Sequence, residues 1–305
     1  MRRALAALAL GAALAGPVRA DALPQVVATI PPIAMLVREL AGERAAVTSL
    51  VPPGASTHTF EAQPGDMKLL EDARLFIEVG AGLDTWSARL RSAAAHQPER
   101  LERLVLIELP GLDPLPADPN ERDRDASGAP ARFDPHLWLD PIRVRDVVAP
   151  ALAGALARID PAGRAHYEAQ LAALQAQIGD ADAEIRRTLA GHGTKFIAFH
   201  GAWRYFAARY GLEQIGVVEE APGEEPTPRE IAGLVAAARA AHVPAILIEP
   251  QLSPRIARTI AAELGAGTVL VDENGDPDDP ERATYPALMR WNARAFARAL
   301  GGGAP

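Results

Sequence analysis

The chain has 305 residues, of which 49% are hydrophobic and 23% charged, a composition typical of a globular protein with one large domain or two lobes. It contains no cysteine, which excludes disulfides, thiolate metal ligands and thiol catalysis. The net charge is −8 and no basic stripe is visible, so we predict no nucleic-acid partner.

The first 20 residues have the pattern of a secretory signal peptide. Arg2 and Arg3 precede an apolar run of 12 residues, and the small-residue end at Ala20 fits a cleavage site. A run of this length is too short to span a bilayer. We therefore predict export to the periplasm as a protein without a membrane anchor, since no later segment is apolar enough to span a membrane and no cysteine is present for lipid attachment.

Short runs rich in Val, Ile and Leu alternate with helical patterns along the rest of the chain. The strands are predicted at 25–30, 47–51, 74–79, 104–109, 195–199, 215–218, 245–248 and 268–271. The helices between them are predicted at 33–40, 65–72, 85–94, 142–158, 202–210, 228–240 and 254–264. Such continuous apolar strands are typical of sheets covered on both faces, so we predict an α/β protein with mainly parallel sheets.

One long segment separates the two sets of four strands. Residues 161–189 are rich in Ala, Leu, Gln, Glu and Arg, and Asp160 with Pro161 provides a start signal. We predict a rigid linking helix at 159–191. It would join an N-terminal lobe at 21–158 to a C-terminal lobe at 192–305.

Residues 111–135 break this alternation. The stretch holds six acidic residues, three arginines and five prolines, but no histidine. It is predicted to be a surface loop.

Three of the seven histidines lie where a ligand-binding site is expected. His58 follows the second predicted strand, His200 follows the fifth, and His136 lies in the stiff stretch "DPHLWLDP" after the fourth. Asp272 follows the last strand. The remaining histidines are predicted to be solvated: His96, His166, His192 and His242.

Ligands of open α/β sheets bind beyond the carboxyl ends of the strands. His58, His136, His200 and Asp272 could therefore meet in a cleft between the lobes and form a tetrahedral set for zinc. Each also has a simpler interpretation, because a loop histidine is often just solvated and Asp272 could cap the turn in "DENGDPDDP".

Two other classes of function stay open at this point. A secreted zinc hydrolase would need a general base such as Glu61 or Glu220, although HExxH and G-x-S-x-G are absent. A binder of sugars or amino acids would use the same fold with an aromatic-lined pocket.

The segments "LVPPGASTHTFEAQPGDMKLL", "DPHLWLDP", "FIAFHGAWRYFAARYGL" and "VLVDENGDPDD" resemble the periplasmic solute-binding proteins of zinc and manganese ABC importers. The resemblance runs in order over nearly the whole predicted mature chain. It implies two α/β lobes joined by a long helix, no catalysis, and transfer of a divalent cation to a membrane permease.

Carried over residue by residue, the resemblance places the metal ligands at His58, His136, His200 and Asp272. A histidine at the third position, His200, is typical of zinc members, whereas manganese members tend to have glutamate there. Zn(II) is therefore the expected transported ligand, with Mn(II) as the alternative, and we expect a monomer.

The chain departs from the family pattern in two places. The stretch at 111–135 lacks the histidines that many zinc members carry there, so its role in gathering metal is open. "VDENGDPDD" replaces the usual Asp-Pro-Leu-Gly turn, so the fourth ligand could be Asp272 or a neighbouring acid, with Asp276, Asp278 and Asp279 close by. Glu78 and Glu249 are candidates to accept hydrogen bonds from ligand histidines.

Overall fold

The structure is a computed structural model that describes residues 23–94, 100–118, 129–220 and 223–301. The predicted signal peptide at 1–20 and part of the acidic stretch lie outside the described residues. Within the described ranges, no helix combines the length and the hydrophobicity that crossing a membrane requires.

Within the described residues, eight strands form two four-stranded sheets in which all the pairings between strands are parallel. The first sheet has the order β2-β1-β3-β4 and the second the order β6-β5-β7-β8. The strands are β1 (Gln25–Ala28), β2 (Ala46–Ser49), β3 (Ala73–Glu78), β4 (Glu102–Val105), β5 (Lys195–Ala198), β6 (Glu213–Val217), β7 (Ala245–Ile248) and β8 (Gly267–Leu270). The prediction of two mainly parallel four-stranded sheets is confirmed.

Helices connect and cover these sheets. They are α1 (Pro31–Ala41), α2 (Pro64–Asp72), α3 (Ser87–Ala94), α4 (Pro141–Arg143), α5 (Ala149–Ile159), α6 (Arg164–Leu189), α7 (Arg204–Tyr210), α8 (Pro228–Ala241), α9 (Arg255–Leu264) and α10 (Tyr285–Leu300). The pattern at 142–158 predicts one helix, but a π-helical turn at Val144–Val148 separates α4 from α5. Pro150 explains the irregularity, because it has no N–H to continue the helical hydrogen bonds.

The long helix α6 connects the two halves and is 26 residues long, which corresponds to about 39 Å. A short 3₁₀ turn at Pro161–Gly163 precedes it. Asp160 does not cap the helix with its side chain, since its carboxylate pairs with Arg44 and accepts a hydrogen bond from Tyr167.

The C-terminal helix α10 has no counterpart among the predicted helices, and it packs against α6 and α1. One cluster of buried apolar residues extends from β1 across α6 to α10. The core is thus continuous between the halves, and the lobe limits at residues 158 and 191 stay a prediction.

Candidate metal site

His58 lies in an irregular loop at 51–63, between β2 and α2. Most residues of this loop are exposed or half-buried, and His58 itself is half-buried. The indole N–H of Trp86 donates a hydrogen bond of 3.2 Å to the carbonyl oxygen of Thr57, next to the histidine. The Trp86 ring also packs against Phe60, with 4.7 Å between ring centroids. The loop is therefore attached to the first half of the chain through Trp86.

His136 is fully enclosed and is oriented by Asp134. One carboxylate oxygen of Asp134 accepts hydrogen bonds from the backbone N–H and from Nδ1 of His136, both at 2.9 Å. Because a carboxylate only accepts, Nδ1 carries the proton and the lone pair of Nε2 is left to face the site. The next three residues form a buried 3₁₀ turn, Leu137–Leu139, which explains the apolar side of this stretch.

His200 follows β5 and precedes the turn that leads into α7. Its Nδ1 donates a hydrogen bond of 2.9 Å to Glu249, whose other oxygen accepts a hydrogen bond of 2.8 Å from the indole of Trp203. Glu249 is thus confirmed as an acceptor for a site histidine. Glu78 is not, because its carboxylate pairs with Arg91 and Arg103.

The structure brings these three histidines together from positions far apart in the chain. One ring nitrogen from each of His58, His136 and His200 lies within 4.8 Å of the others, and the Nε2 atoms of His58 and His136 are 3.2 Å apart. Ring centroids are 5.3–5.6 Å apart. Nitrogen lone pairs so close together repel one another unless a proton or a cation lies between them.

Glu273 adds a carboxylate to this cluster. Its Oε2 lies 3.3 Å from Nε2 of His200 and 3.9 Å from Nε2 of His136. The side chain is buried, and neither Oε2 of Glu273 nor Nε2 of His200 has a hydrogen-bond partner of good geometry within the described residues. Buried polar atoms of this kind are expected to have a partner, so the two atoms are candidates to bind an ion.

The charges of the site shift its pKa values in opposite directions. Burial alone would lower the pKa of His200, but the negative charges of Glu249 and Glu273 raise it well above its usual value. Burial also opposes the charged form of His136, and Asp134 overcomes this effect and raises the pKa of His136. Burial favours the neutral form of Glu273, yet the charge of His200 lowers the pKa of Glu273 to about 2. Without a metal, the carboxylates of the site therefore favour protonated imidazoles.

Asp272 is buried beside the cluster, but its carboxylate is used elsewhere. One oxygen forms an ion pair of 2.6 Å with Arg282, and the other accepts the backbone N–H groups of Asn274 and Gly275, each at 3.0 Å. This orientation of the Asp272 carboxylate has a local cause. Asp at the first position and Gly at the fourth position of a turn are favoured, and "DENG" has both.

Gly275 is required in this turn. Its φ is +73°, and a Cβ there would lie 2.7 Å from the end of the Met35 side chain and 2.8 Å from a backbone oxygen. The turn directs the Asp272 carboxylate back onto its own backbone and leaves Glu273 to face the histidines. The sequence analysis does not name Glu273, and the turn pattern is the signal that could have indicated it.

The segment that carries His136 is bonded to the second half of the chain on both sides of the histidine. Arg204 pairs with Asp134 at 3.3 Å, and Arg209 pairs with Asp140 through two hydrogen bonds of 2.8 Å. The indole of Trp138 donates to the backbone oxygen of Glu273 at 2.8 Å. This indole bond fixes the backbone of the Glu273 turn to the chain two residues from His136.

A narrow cavity lies at the site. It is lined by Ser56, His58, His200, Gln251, Leu252 and Glu273. Of the two candidate bases for a hydrolase, Glu61 is exposed and Glu220 lines a different cavity beside β6.

The other histidines differ in exposure. His192 and His242 are exposed, as expected for solvated side chains. His166 is half-buried and lies 3.0 Å from the carbonyl oxygen of Ala41, so it is not simply solvated. His96 lies outside the described residues.

Comparison with known proteins gives consistent results. Residues 26–299 match the family model described as "ZnuA: Zinc-uptake complex component A periplasmic". The manganese-binding lipoprotein MntA of Halalkalibacterium halodurans is 28% identical over 87% of this chain and 84% of its own length. The high-affinity zinc uptake system protein ZnuA of Bacillus subtilis is 28% identical over 90% of this chain and 87% of its own length. A crystal structure of ZnuA superimposes with a TM-score of 0.78 and 29% identity over 91% of this chain and 99% of that one.

Proposed function

The chain belongs to the family of periplasmic zinc-uptake components described as ZnuA, and we propose that it captures Zn(II) in the periplasm and delivers it to the membrane permease of an ABC importer. Relatives named for zinc uptake and for manganese binding both support capture of a divalent transition metal. The protein acts as a binding protein, and its cargo is released intact rather than chemically changed.

We propose that His58, His136, His200 and Glu273 hold the ion. Ligand atoms about 2.0–2.1 Å from a tetrahedral zinc are about 3.3 Å from one another. The 3.2 Å between the nitrogens of His58 and His136 supports this geometry, as does the 3.3 Å between His200 and Glu273. The observation that carries the proposal is the cluster of three imidazole nitrogens, with the buried Oε2 of Glu273 3.3 Å from His200 and 3.9 Å from His136.

The donor set also favours zinc over manganese. Three imidazoles and one carboxylate suit zinc, whereas manganese prefers oxygen ligands. Zinc also precedes manganese in the general order of affinities for such a site. Manganese remains the alternative cargo, and the manganese-binding relative supports keeping it.

The ligand assignment is tested by titrating zinc against a competing chelator. We expect Glu273→Ala and His136→Ala each to weaken zinc binding by at least about 100-fold, more than the loss of an outer partner usually costs. Asp272→Asn is the matched control, because it alters the adjacent buried acid; we expect it to weaken binding by less than about tenfold. A larger effect for Asp272→Asn than for Glu273→Ala would show that Asp272 is the ligand.

Delivery is tested by reconstituting the cognate permease in lipid vesicles. Zinc uptake should require the loaded protein, and it should fail with the His136→Ala variant. Light scattering of the purified protein checks the proposed monomer. Cleavage after Ala20 and recovery from the periplasm check the proposed location.

A further inference from the structure

Gln251 lies at the metal site without being one of its proposed ligands. It follows β7 and lines the same cavity as His58, His200 and Glu273. Its side-chain oxygen is buried and has no hydrogen-bond partner among the residues that the structure describes. A buried carbonyl without a partner costs free energy, so this oxygen needs an explanation.

The orientation of the Gln251 amide is set by Asp272. The amide nitrogen of Gln251 donates a hydrogen bond of 3.2 Å to Asp272, whose carboxylate can only accept. Arg282 holds the other oxygen of that carboxylate at 2.6 Å. A rotation that exchanged the amide nitrogen and oxygen of Gln251 would break this hydrogen bond, so the oxygen points away from Asp272.

A water molecule does not explain the buried oxygen, because the cavity contains no space wide enough for one. A bare cation is smaller and could lie among the donor atoms. Gln251 lines this cavity together with Ser56 and three of the proposed ligands, His58, His200 and Glu273, so a cation bound by those ligands is a partner within reach of the cavity.

Building on the proposed function, we propose that Gln251 is a specificity-determining residue, whose carbonyl oxygen is a supplementary donor to the bound ion. Zinc is satisfied by four ligands, whereas Mn(II) takes more ligands and prefers oxygen. An added neutral oxygen therefore favours manganese more than zinc and widens the range of cations that the site accepts. Asp272 acts through Gln251 as a positioning residue.

The test compares Gln251→Met with the wild type and with Gln214→Met. Methionine has a similar length and lacks the carbonyl. Gln214 is the matched control because its side-chain oxygen is also buried without a partner, but it lines the cavity beside β6. Affinities for zinc and for manganese are measured by chelator competition, and the visible absorption of the Co(II) form reports the number of ligands.

We expect Gln251→Met to weaken manganese binding by about tenfold or more and zinc binding by less than about threefold. The Co(II) bands should intensify as the coordination number falls. Gln214→Met should leave both affinities and the Co(II) spectrum unchanged. Gln251→Asn, which keeps the amide but withdraws it by one methylene, should change the manganese-to-zinc ratio in the same direction if the methionine variant does not fold.

Equal losses for zinc and manganese, or an unchanged ratio with an unchanged Co(II) spectrum, would overturn the role of Gln251. A wild-type protein that binds zinc in the same experiment would leave the proposed function standing. A wild-type protein that binds neither metal would instead overturn the proposed function itself.

Discussion

Two segments from the first half of the chain each bring one histidine to the site, but they are held very differently. The loop at 51–63 that carries His58 is largely exposed or half-buried, and its indole contact comes from Trp86 in the same half. The segment at 134–140 that carries His136 is buried throughout and is bonded to the second half.

The difference shows that a residue's place in the chain does not decide which half it is fixed to. His136 precedes the long helix, yet it is fixed to the half that contains His200 and Glu273. In the proposed site these three residues form one preassembled group, and His58 joins it from the first half. Preassembly matters because ligands that are already in place lose less conformational entropy when the ion binds.

Removing Asp140 should have the largest effect on how the His136 segment is held. Asp140 is buried and pairs with both Arg209 and Arg143. Asp140→Ala leaves two partly buried guanidinium groups without this carboxylate, so we expect a loss of roughly 3–5 kcal/mol in the free energy of unfolding. Urea denaturation measures the loss. Zinc binding should weaken as well, because the His136 segment is no longer fixed to the second half.

The matched control for this variant is Asp146→Ala, which removes an exposed carboxylate paired with Arg145. An exposed ion pair contributes less than about 1 kcal/mol, so the control should unfold close to the wild type. Equal effects of the two substitutions would contradict the idea that the buried pairs fix the segment.

The second experiment tests how the partly buried carboxylate of Glu39, which contacts the residue that holds Trp138, changes stability with pH. Tyr285 donates its hydroxyl to the backbone oxygen of Trp138, and its backbone N–H donates to Glu39 at 3.0 Å. Burial raises the pKa of Glu39 from 4.5 to about 7, although the hydrogen bond from Tyr285 opposes this shift. The folded protein therefore binds more protons than the unfolded chain between these pH values, and stability from this group is lost as pH rises through 7.

We expect metal-free Glu39→Gln to be more stable than the wild type at pH 8, by about 2 kcal/mol, and to differ little from it at pH 5. Thermal or urea unfolding at the two pH values gives the measurement. Glu43→Gln, at an exposed position just beyond α1, serves as the control and should not change the pH dependence. A wild type that gains stability from pH 5 to pH 8 relative to Glu39→Gln would show that the carboxylate is stabilising.

A third experiment removes a single hydrogen bond next to the proposed metal site. Trp138→Phe keeps a buried aromatic ring but removes the hydrogen bond to the backbone oxygen of Glu273. We expect a loss of about 1–2 kcal/mol, because that oxygen is left buried without its donor. Zinc affinity should fall by about tenfold, since the bond sets the spacing between His136 and Glu273. Isothermal titration with a competing chelator measures the second effect.

Local patterns predicted much of the fold and singled out the three histidines that the structure brings together. Apolar runs located all eight strands to within a few residues, and parallel order brought His58 and His200 to the carboxyl ends of their strands. Helix α10 was not among the predicted helices, although its sequence is helical in character.

The remaining features of the proposed site depend on where side chains point and on which segments pack together. A pattern along the sequence does not contain this information. Asp272 and Glu273 are adjacent, both are buried, and strand alternation has ended at Leu270, so only the backbone path of the turn decides which carboxylate faces the site. The bonds that join Trp138 to Glu273 and Asp140 to Arg209 connect residues 135 and 69 positions apart. Such contacts follow from how the halves pack, which periodicity does not report.

The smallest effect is expected for the loop that carries His58. The variant that tests this loop is the counterpart of Trp138→Phe. Trp86→Phe also removes one indole N–H from a backbone oxygen beside a proposed ligand, that of Thr57. Thr57 is buried, but Trp86 is half-buried and the loop is largely exposed, so this loop can rearrange at a lower cost than the buried segment of Trp138. We expect a loss of about 0.5–1 kcal/mol in stability and less than about threefold in zinc affinity.

The two tryptophan variants delete the same chemical group, so the ratio of their effects isolates how firmly each segment is held. A zinc affinity that falls more for Trp86→Phe than for Trp138→Phe would reverse the comparison and make the His58 loop the better-fixed part of the site. A fall in both affinities without any change in stability would mean that the indole bonds tune the ligands directly rather than through the packing of the two halves. The expected order, Trp138 first on both measures, follows because the loop around Thr57 is largely exposed, whereas Trp138 and Glu273 both lie in buried segments.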